Sequence, residues 1–233
     1  MKSPTQLLLN SRRFLASYED SIYPKFLTKY ARREITYPVV YDTLRSLEPV
    51  GYTTPQDSVI LDLGCGTGWF ARRLAQEKHY KDAKIIGFDL SANAIAIARE
   101  RAANTQLAAT PDFCIADVLA PFTIPDQPVS EVWICGALHQ MRNQRQVLSR
   151  VRELLADNGL VYVQTFVEDP TVNEKIDMAV MRWLGHRVFR SGELDAIIAD
   201  CGFTEIGSTS FGLIYFSCLT PSHDDKDGKS KES

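Results

Sequence analysis

The sequence predicts an α/β protein with a seven-stranded, mostly parallel sheet and helices on both of its faces. Short apolar runs alternate with helical patterns between residues 57 and 219, and the runs are apolar at consecutive positions, as in strands buried on both sides. A glycine-rich loop follows the first run directly and precedes a helical pattern. One sheet is favoured over two domains, because 233 residues would make two domains cramped.

The chain divides into three zones. Residues 1–50 mix aromatic and charged side chains and predict two or three helices, broken near Pro24 and Pro38, which would form an N-terminal helical cap or lid. Residues 51–220 hold the predicted sheet. Residues 221–233 contain no Leu, Ile, Val, Met or Phe, and they predict a disordered tail.

Strands are expected near residues 59–61, 84–88, 113–115, 132–135, 160–166, 203–206 and 211–219. The helix near residues 143–155 has the clearest apolar period, and Asn158-Gly159 is predicted to end it. A later amphipathic helix is predicted to begin after Ser191 and to end at Gly202.

Composition narrows the class of protein. The formal net charge of -3 argues against a partner held chiefly through its phosphates, and therefore against nucleic acid. Five cysteines without a C-x-x-C pair predict free, buried thiols. No 18 consecutive apolar residues occur, the run Leu7–Leu9 is too short for a signal-peptide core, and a cytoplasmic protein is expected. The histidines are scattered and no metal-binding pattern occurs, so no metal is expected.

The loop itself reads D-L-G-C-G-T-G over residues 62–68. Its glycines allow positive φ and let a ligand approach bare backbone at the strand ends, where open α/β sheets bind ligands. Asp89 stands 21 positions after Gly68, at the end of the second strand, where a carboxylate can accept hydrogen bonds from both ribose hydroxyls. The alternative is a turn aspartate that begins the next helix, although Ser91 is the better residue for that role.

A nicotinamide dinucleotide would use the same strand and the same carboxylate. Its G-x-G-x-x-G fingerprint requires glycine at position 69, where this chain has Trp69. Asp62 adds negative charge beside the loop, which would repel a pyrophosphate but suits the ammonium group of a bound amino acid. The loop therefore favours a cofactor with an amino-acid part.

The segment from Ile60 to Gly68 resembles motif I of the class I S-adenosylmethionine-dependent methyltransferases, and the residues after it keep that family's order. The resemblance covers about residues 57–219. It implies a Rossmann-like fold with S-adenosylmethionine as cofactor and S-adenosylhomocysteine as product. The cofactor-binding residues that it implies are Asp62, Gly64, Cys65, Gly66, Gly68, Asp89, Leu90, Asp117, Val118 and Cys135.

Within that family, the chain resembles the small-molecule methyltransferases near the ubiquinone and menaquinone biosynthesis enzymes. The run Ala137-Leu138-His139 carries this resemblance, while the N-terminal aromatic and aspartate signature of many quinone enzymes is not evident. The resemblance implies transfer of a methyl group to an oxygen, nitrogen or carbon atom of a small aromatic or apolar metabolite.

His139 lies just past the fourth predicted strand and is the candidate acid or base. The alternative is a histidine that contacts cofactor or loop backbone without moving protons. The cap tyrosines Tyr18, Tyr23 and Tyr30, together with Trp183, are candidates for the lid or substrate pocket, but packing alone would explain them equally well.

Two further functions stay open. Methylation of RNA or protein would need a basic groove, for which the pairs Arg12-Arg13 and Arg32-Arg33 are the hint, and the N-P-P-[YF] motif of base methylation is absent. A cofactor-binding partner subunit without catalysis would keep the same loop and aspartates. The sequence does not specify the oligomeric state.

Overall fold

A computed structural model of the chain describes Leu8, residues 11–169 and residues 175–222, the side chains of 175–177 excepted. The strands of this described part are β1 (Val59–Leu63), β2 (Lys84–Asp89), β3 (Asp112–Ile115), β4 (Val129–Cys135), β5 (Leu155–Phe166), β6 (Phe203–Phe211) and β7 (Ile214–Pro221). They form one sheet in the order β3-β2-β1-β4-β5-β7-β6.

The sheet is parallel from β3 to β5, and β7 runs antiparallel between β5 and β6. All five residues of β1 are buried, as expected for a central strand covered on both faces. The predicted Rossmann-like, mostly parallel seven-stranded sheet is confirmed. The parallel strands bring their carboxyl ends, and the loops that follow them, to one edge.

Eight α-helices surround the sheet in the described part of the chain. They are α1 (Arg12–Ser17), α2 (Tyr23–Ala31), α3 (Tyr37–Arg45), α4 (Trp69–Gln76), α5 (Ala92–Ala103), α6 (Gln144–Leu154), α7 (Lys175–Leu184) and α8 (Glu193–Asp200). A π-helical turn, Tyr18–Ile22, joins α1 to α2. None of the helices in the described ranges is long and apolar enough to span a bilayer.

The N-terminal helices pack directly on the sheet. Pro38 lies in the first turn of α3, where a missing N–H group costs no hydrogen bond. The predicted break near Pro24 is wrong, because the helical backbone runs from α1 through the π-helical turn into α2. Tyr41 of α3 stacks on Trp133 of β4 at 5.3 Å between ring centroids, and Tyr162 of β5 stacks on the same indole at 4.1 Å. We refer to residues 12–45 as the N-terminal cap.

Two predicted helix boundaries are wrong. Helix α6 ends at Leu154, and Asn158-Gly159 lies inside β5, where a shift of register against β4 accommodates the extra residues. Helix α8 begins after Gly192, whose φ is +76°, and not after Ser191. No side chain caps this helix, and the Glu193 carboxylate instead accepts a hydrogen bond from the Arg190 backbone N–H in the preceding turn.

The two C-terminal strands extend beyond the predicted ranges and form an antiparallel pair. Pro221, predicted to begin the tail, instead ends β7 opposite Phe203. The backbone N–H of Ser222 also donates to the Gly202 carbonyl at 2.9 Å. The predicted disorder therefore concerns residues 223–233, which lie outside the described part of the chain.

Candidate active site

The glycine-rich loop between β1 and α4 has two glycines in tight contact and one that faces open space. A Cβ added to Gly64 would lie 2.4 Å from the Ala137 Cβ, and one added to Gly68 would lie 2.6 Å from the Phe113 ring. Gly66, at φ +54°, has no atom within 4 Å of an added Cβ. The loop is therefore packed from below at its ends and leaves room for a ligand above its middle.

Asp89 ends β2 and is bonded to this loop. Its Oδ2 accepts from the Gly66 backbone N–H at 2.9 Å, and its Oδ1 accepts from the Ser91 N–H at 2.8 Å. Burial raises the pKa of Asp89, and these two backbone donors oppose that rise. Each oxygen keeps a second lone pair, so the carboxylate can hold the loop and still accept from two hydroxyl groups.

A surface with two exposed apolar side chains lies beside Asp89, at the ends of β2 and β3, and we call it the apolar slot. Leu90 is 71% exposed and Ile115 is 56% exposed, an unusual state for large apolar side chains at strand ends. Asp117 is exposed beyond them, and its Oδ1 accepts from the Leu119 N–H at 2.9 Å, while Val118 is half-buried. The slot offers two apolar side chains and a carboxylate to a flat polar ring.

The opposite end of the loop is closed. Asp62 is 1% exposed, and its one hydrogen bond with the described residues comes from the Ala71 N–H at 3.2 Å. Burial, with the nearby charge of Asp89, raises the pKa of Asp62 to about 7. Burial likewise raises the pKa of the Cys65 and Cys135 thiols, which stay neutral. A bound cation would supply the partner that the Asp62 carboxylate lacks.

Aromatic side chains of the cap cover the turn after β4. The Tyr23 hydroxyl donates to Gln164 Oε1 at 2.9 Å and would lie 2.1 Å from a Cβ added to Gly136. Tyr18 stacks on Tyr23 with ring centroids 5.3 Å apart, and burial raises the pKa of both phenols. The Tyr30 ring packs on the Phe26 ring at 4.8 Å between centroids, and its backbone carbonyl accepts from the Leu213 N–H at the turn between β6 and β7.

His139 lies in a short 3₁₀ helix, Leu138–Gln140, and is buried. Its Nε2 is 3.0 Å from Nδ1 of His186, and its own Nδ1 has no hydrogen-bond partner among the described residues. Burial and the neighbouring imidazole keep the pKa of His139 well below its ordinary value, and burial lowers that of His186 to about 4. Both rings are therefore neutral near pH 7.

Phe166 and Phe26 enclose this histidine pair. The Phe166 ring lies 4.5 Å from His139, and the Phe26 ring of the cap lies 5.1 Å from His186. Trp183, predicted for the pocket wall, is 70% exposed on α7. The structure thus brings Tyr18, Tyr23 and His139 to the carboxyl edge of the sheet, and Tyr30 lies behind Phe26, whose ring it contacts.

The comparisons with known proteins agree with this geometry. Residues 55–201 match the model of a methyltransferase domain family. The chain belongs to that family. An uncharacterised methyltransferase of Mycobacterium bovis is 32% identical over 108 residues, which are 46% of this chain and 50% of that protein. The match thus spans about half the length of this relative.

Two further proteins extend the comparison of this methyltransferase. A ubiquinone biosynthesis O-methyltransferase of Glaesserella parasuis is 26% identical over 108 residues, covering 46% of this chain and 44% of its own length. A structure of an O-methyltransferase from neocarzinostatin biosynthesis aligns with a TM-score of 0.65 at 17% identity, covering 94% of this chain and 62% of that one. It was solved with S-adenosyl-L-homocysteine and 1,4-dihydroxy-2-naphthoic acid. At this identity the likeness concerns the fold alone.

The cofactor of this methyltransferase is S-adenosylmethionine, and the described site fits it. The open apolar slot suits an adenine ring, Asp89 suits the ribose hydroxyls, and the buried Asp62 carboxylate suits an ammonium group. Among the described residues, no group of three or more His, Cys, Asp or Glu side chains could hold a metal ion.

Sequence reasoning missed several residues of this site. Ile115 could have been found, because it is an apolar residue that ends β3 directly before Ala116-Asp117. Gln164 and His186 carried no local signal, since each meets its partner across more than forty residues of chain.

Proposed function

We propose that the protein transfers a methyl group from S-adenosylmethionine to an oxygen, nitrogen or carbon atom of a small aromatic or apolar metabolite. The observation that carries the proposal is the aromatic enclosure of the turn after β4. Tyr23 covers Gly136 and is stacked on by Tyr18, and Phe26 and Phe166 enclose the histidine pair. Rings of this kind exclude water and stack on flat apolar acceptors.

The relatives support the same class of substrate. One is named for ubiquinone biosynthesis, and one structural neighbour was solved with a dihydroxynaphthoic acid, an aromatic acceptor with hydroxyl groups. By contrast, one arginine of each pair that hinted at a nucleic-acid partner is engaged within the chain. Arg12 pairs with Glu100 at 2.8 Å, and Arg33 lies over the Phe211 ring at 4.4 Å.

When bound, S-adenosylmethionine supplies a methyl group made electrophilic by its sulfonium. We assign the cofactor to the predicted residues of the loop and strand ends, with Asp62 on the ammonium, Asp89 on the ribose, and Leu90, Asp117 and Val118 around the adenine. Gly136 and Cys135 would form the floor of the transfer site, and the neutral Tyr23 hydroxyl would help to orient the acceptor.

His139 would position the acceptor and not serve as the base. Its free Nδ1 leaves one hydrogen-bonding position for a polar group of the substrate, which supports contact. Its lowered pKa makes it a weak proton acceptor, which disfavours a role as base near pH 7.

The test is methyl transfer from radiolabelled cofactor to a panel of hydroxylated and aminated aromatic acids, with total RNA and a protein extract as competing acceptors. Label on at least one aromatic acceptor is the expected result. Label confined to RNA or protein would contradict the substrate class. Binding of S-adenosylhomocysteine without any labelled acceptor would favour the inactive partner subunit.

A further inference from the structure

Glu19 is a buried carboxylate that fastens the N-terminal cap to the glycine-rich loop. It lies in the π-helical turn and is 7% exposed. The Thr67 hydroxyl of the loop donates to Oε2, and Arg72 of α4 and Arg101 of α5 each reach Oε1 at 2.6 Å. Arg72 also donates to the Thr67 carbonyl. We call Glu19, Thr67, Arg72 and Arg101 the latch.

The π-helical turn places the latch residue beside the cofactor site. Such turns, with i→i+5 hydrogen bonds, are rare and concentrate at functional sites. Tyr18, which precedes Glu19, is close enough to Asp89 for that charge to contribute to the rise in the phenol pKa. The cap is thus bonded to the loop at Thr67, while no atom lies within 4 Å of a Cβ added to the neighbouring Gly66.

The two ends of the cofactor site differ in their access to solvent. Leu90 and Ile115, at the adenine end, are mostly exposed, whereas Asp62, at the amino-acid end, is almost completely buried. An adenosine group can therefore reach its slot with the cap closed. Arg72, which pairs with Glu19, is close enough to Asp62 for its charge to oppose the rise in the pKa of that carboxyl, so the latch lies at the amino-acid end of the site. Entry of the amino-acid part of the cofactor past the latch requires the π-helical turn to lift.

We infer that the latch gates exchange of the cofactor's amino-acid end, with Glu19 as the residue that sets how often the cap opens. The inference rests on the proposed assignment of Asp62 to the ammonium group. Glu19 does not touch the reacting atoms in this account; it acts through the cap. Loss of its charge would weaken two contacts with arginines at once and raise the open fraction of the cap.

The variant that tests the latch is Glu19→Gln, which keeps the size of the side chain and removes its charge. Asp20→Asn is the matched control, because Asp20 neighbours Glu19 and contacts the same Arg101 at 3.1 Å but is largely exposed. Two ligands test the two ends of the site separately. S-adenosylhomocysteine fills both ends, and adenosine fills the open end alone.

Stopped-flow tryptophan fluorescence should show S-adenosylhomocysteine dissociating about tenfold or more faster from Glu19→Gln than from the unaltered chain. Its association should also be faster. The affinity for adenosine, and both rates in Asp20→Asn, should stay within about twofold. A Glu19→Gln dissociation rate within about twofold of the original would overturn the latch, and so would an equal change in adenosine affinity.

A second measurement needs no variant. Trypsin should cut the cap, which contains Arg13 and Lys25, more slowly when S-adenosylhomocysteine is bound, whereas adenosine should give no such protection. Equal protection by the two ligands, or none by either, would contradict the gate. Failure of S-adenosylhomocysteine to bind the unaltered chain is a different result, because it would refute the proposed cofactor site itself.

Discussion

Two buried carboxylates on neighbouring central strands differ in the number of hydrogen-bond donors around them. Glu131 of β4 is completely buried and accepts from the Thr54 hydroxyl, from the Trp133 indole at 3.0 Å and from the Tyr80 hydroxyl at 3.0 Å to each oxygen. Arg45 adds a cation at 3.8 Å. Asp62 of β1 is as deeply buried but has a single backbone donor at 3.2 Å.

We propose that the difference separates a structural carboxylate, Glu131, from one that binds a ligand, Asp62. The chain supplies every partner that Glu131 needs, so its charge is stabilised without help from outside. The chain gives the Asp62 carboxylate few hydrogen-bond partners, so burial of its charge is poorly compensated and its pKa is raised. A buried acid with few partners at the carboxyl edge of a parallel sheet therefore marks the end of the site where a cation is expected.

Substitution of Glu131 should give the largest effect on folding. Glu131→Ala leaves the donors of Tyr80, Trp133 and Thr54 buried without an acceptor, and should lower the free energy of unfolding by about 3–5 kcal/mol. Urea denaturation measures this loss. The affinity of the folded fraction for S-adenosylhomocysteine should be unchanged. A loss below about 1 kcal/mol would show that the network is not structural.

Asp62→Asn should instead weaken ligand binding without lowering the free energy of unfolding. The affinity for S-adenosylhomocysteine should fall by roughly tenfold to a hundredfold, because the ammonium group loses a charged partner. The free energy of unfolding should stay the same or rise, since a buried charge with few partners is removed. Calorimetry and urea denaturation on one preparation provide both numbers. A large loss of stability with unchanged affinity would make Asp62 a second structural acid.

The contrast between the two acids also shows what the sequence could predict. The glycine loop, Asp62 and Asp89 were predictable, because short spacings between a strand, a loop and a helix specify them. Ser91 was likewise confirmed as the residue that begins α5, its hydroxyl accepting from the Ala94 N–H. Apart from Trp133, which lies two residues after Glu131, the donors around Glu131 and Glu19 were not predictable, because they come from distant segments with no shared pattern.

Local signals also failed where sheet pairing overrode them. Asn158-Gly159 is a strong turn signal, yet the pairing of β5 with β4 absorbs it as an irregularity within the strand. Ser191 is a good residue to begin a helix, but α8 begins after Gly192, which has a positive φ and leaves the helix without a side-chain cap. In both places, the folded backbone departs from what the local sequence favours.

His139 resembles Asp62 in being buried with too few hydrogen-bond partners, although its ring is neutral. Its Nδ1 has no partner among the described residues. If that atom is kept for the acceptor, His139→Ala should raise KM for the acceptor by about tenfold while kcat largely persists. His139→Gln should recover part of the loss, since an amide can also hydrogen-bond. Steady-state kinetics test this, and a kcat loss of a hundredfold or more with unchanged KM would identify His139 as the base.

The smallest expected effect is the pH dependence of cofactor binding, which follows from the pKa of about 7 for Asp62. Protonated Asp62 cannot pair with an ammonium group, so binding requires its ionised form. The affinity for S-adenosylhomocysteine should therefore rise with pH up to about 7 and level off above it. Calorimetry at about pH 6 and about pH 7.5 should give dissociation constants that differ several-fold.

The Asp62 carboxyl predicts the opposite pH trend for the free energy of unfolding. Since the pKa of Asp62 is higher in the folded chain than in the unfolded chain, its contribution to stability falls as pH rises between about 4 and about 7. The buried histidines, whose pKa values are lowered, lose their contribution as pH falls below about 6.5 and would mask this trend in the unaltered chain alone.

The comparison with Asp62→Asn removes their share, because both chains keep the histidines. The unfolding free energy of Asp62→Asn relative to the original should grow from about pH 5 to about pH 7.5, while its affinity for S-adenosylhomocysteine stays nearly flat. A difference that does not change with pH would mean that Asp62 is already ionised and satisfied in the folded chain, and the contrast with Glu131 would then be lost.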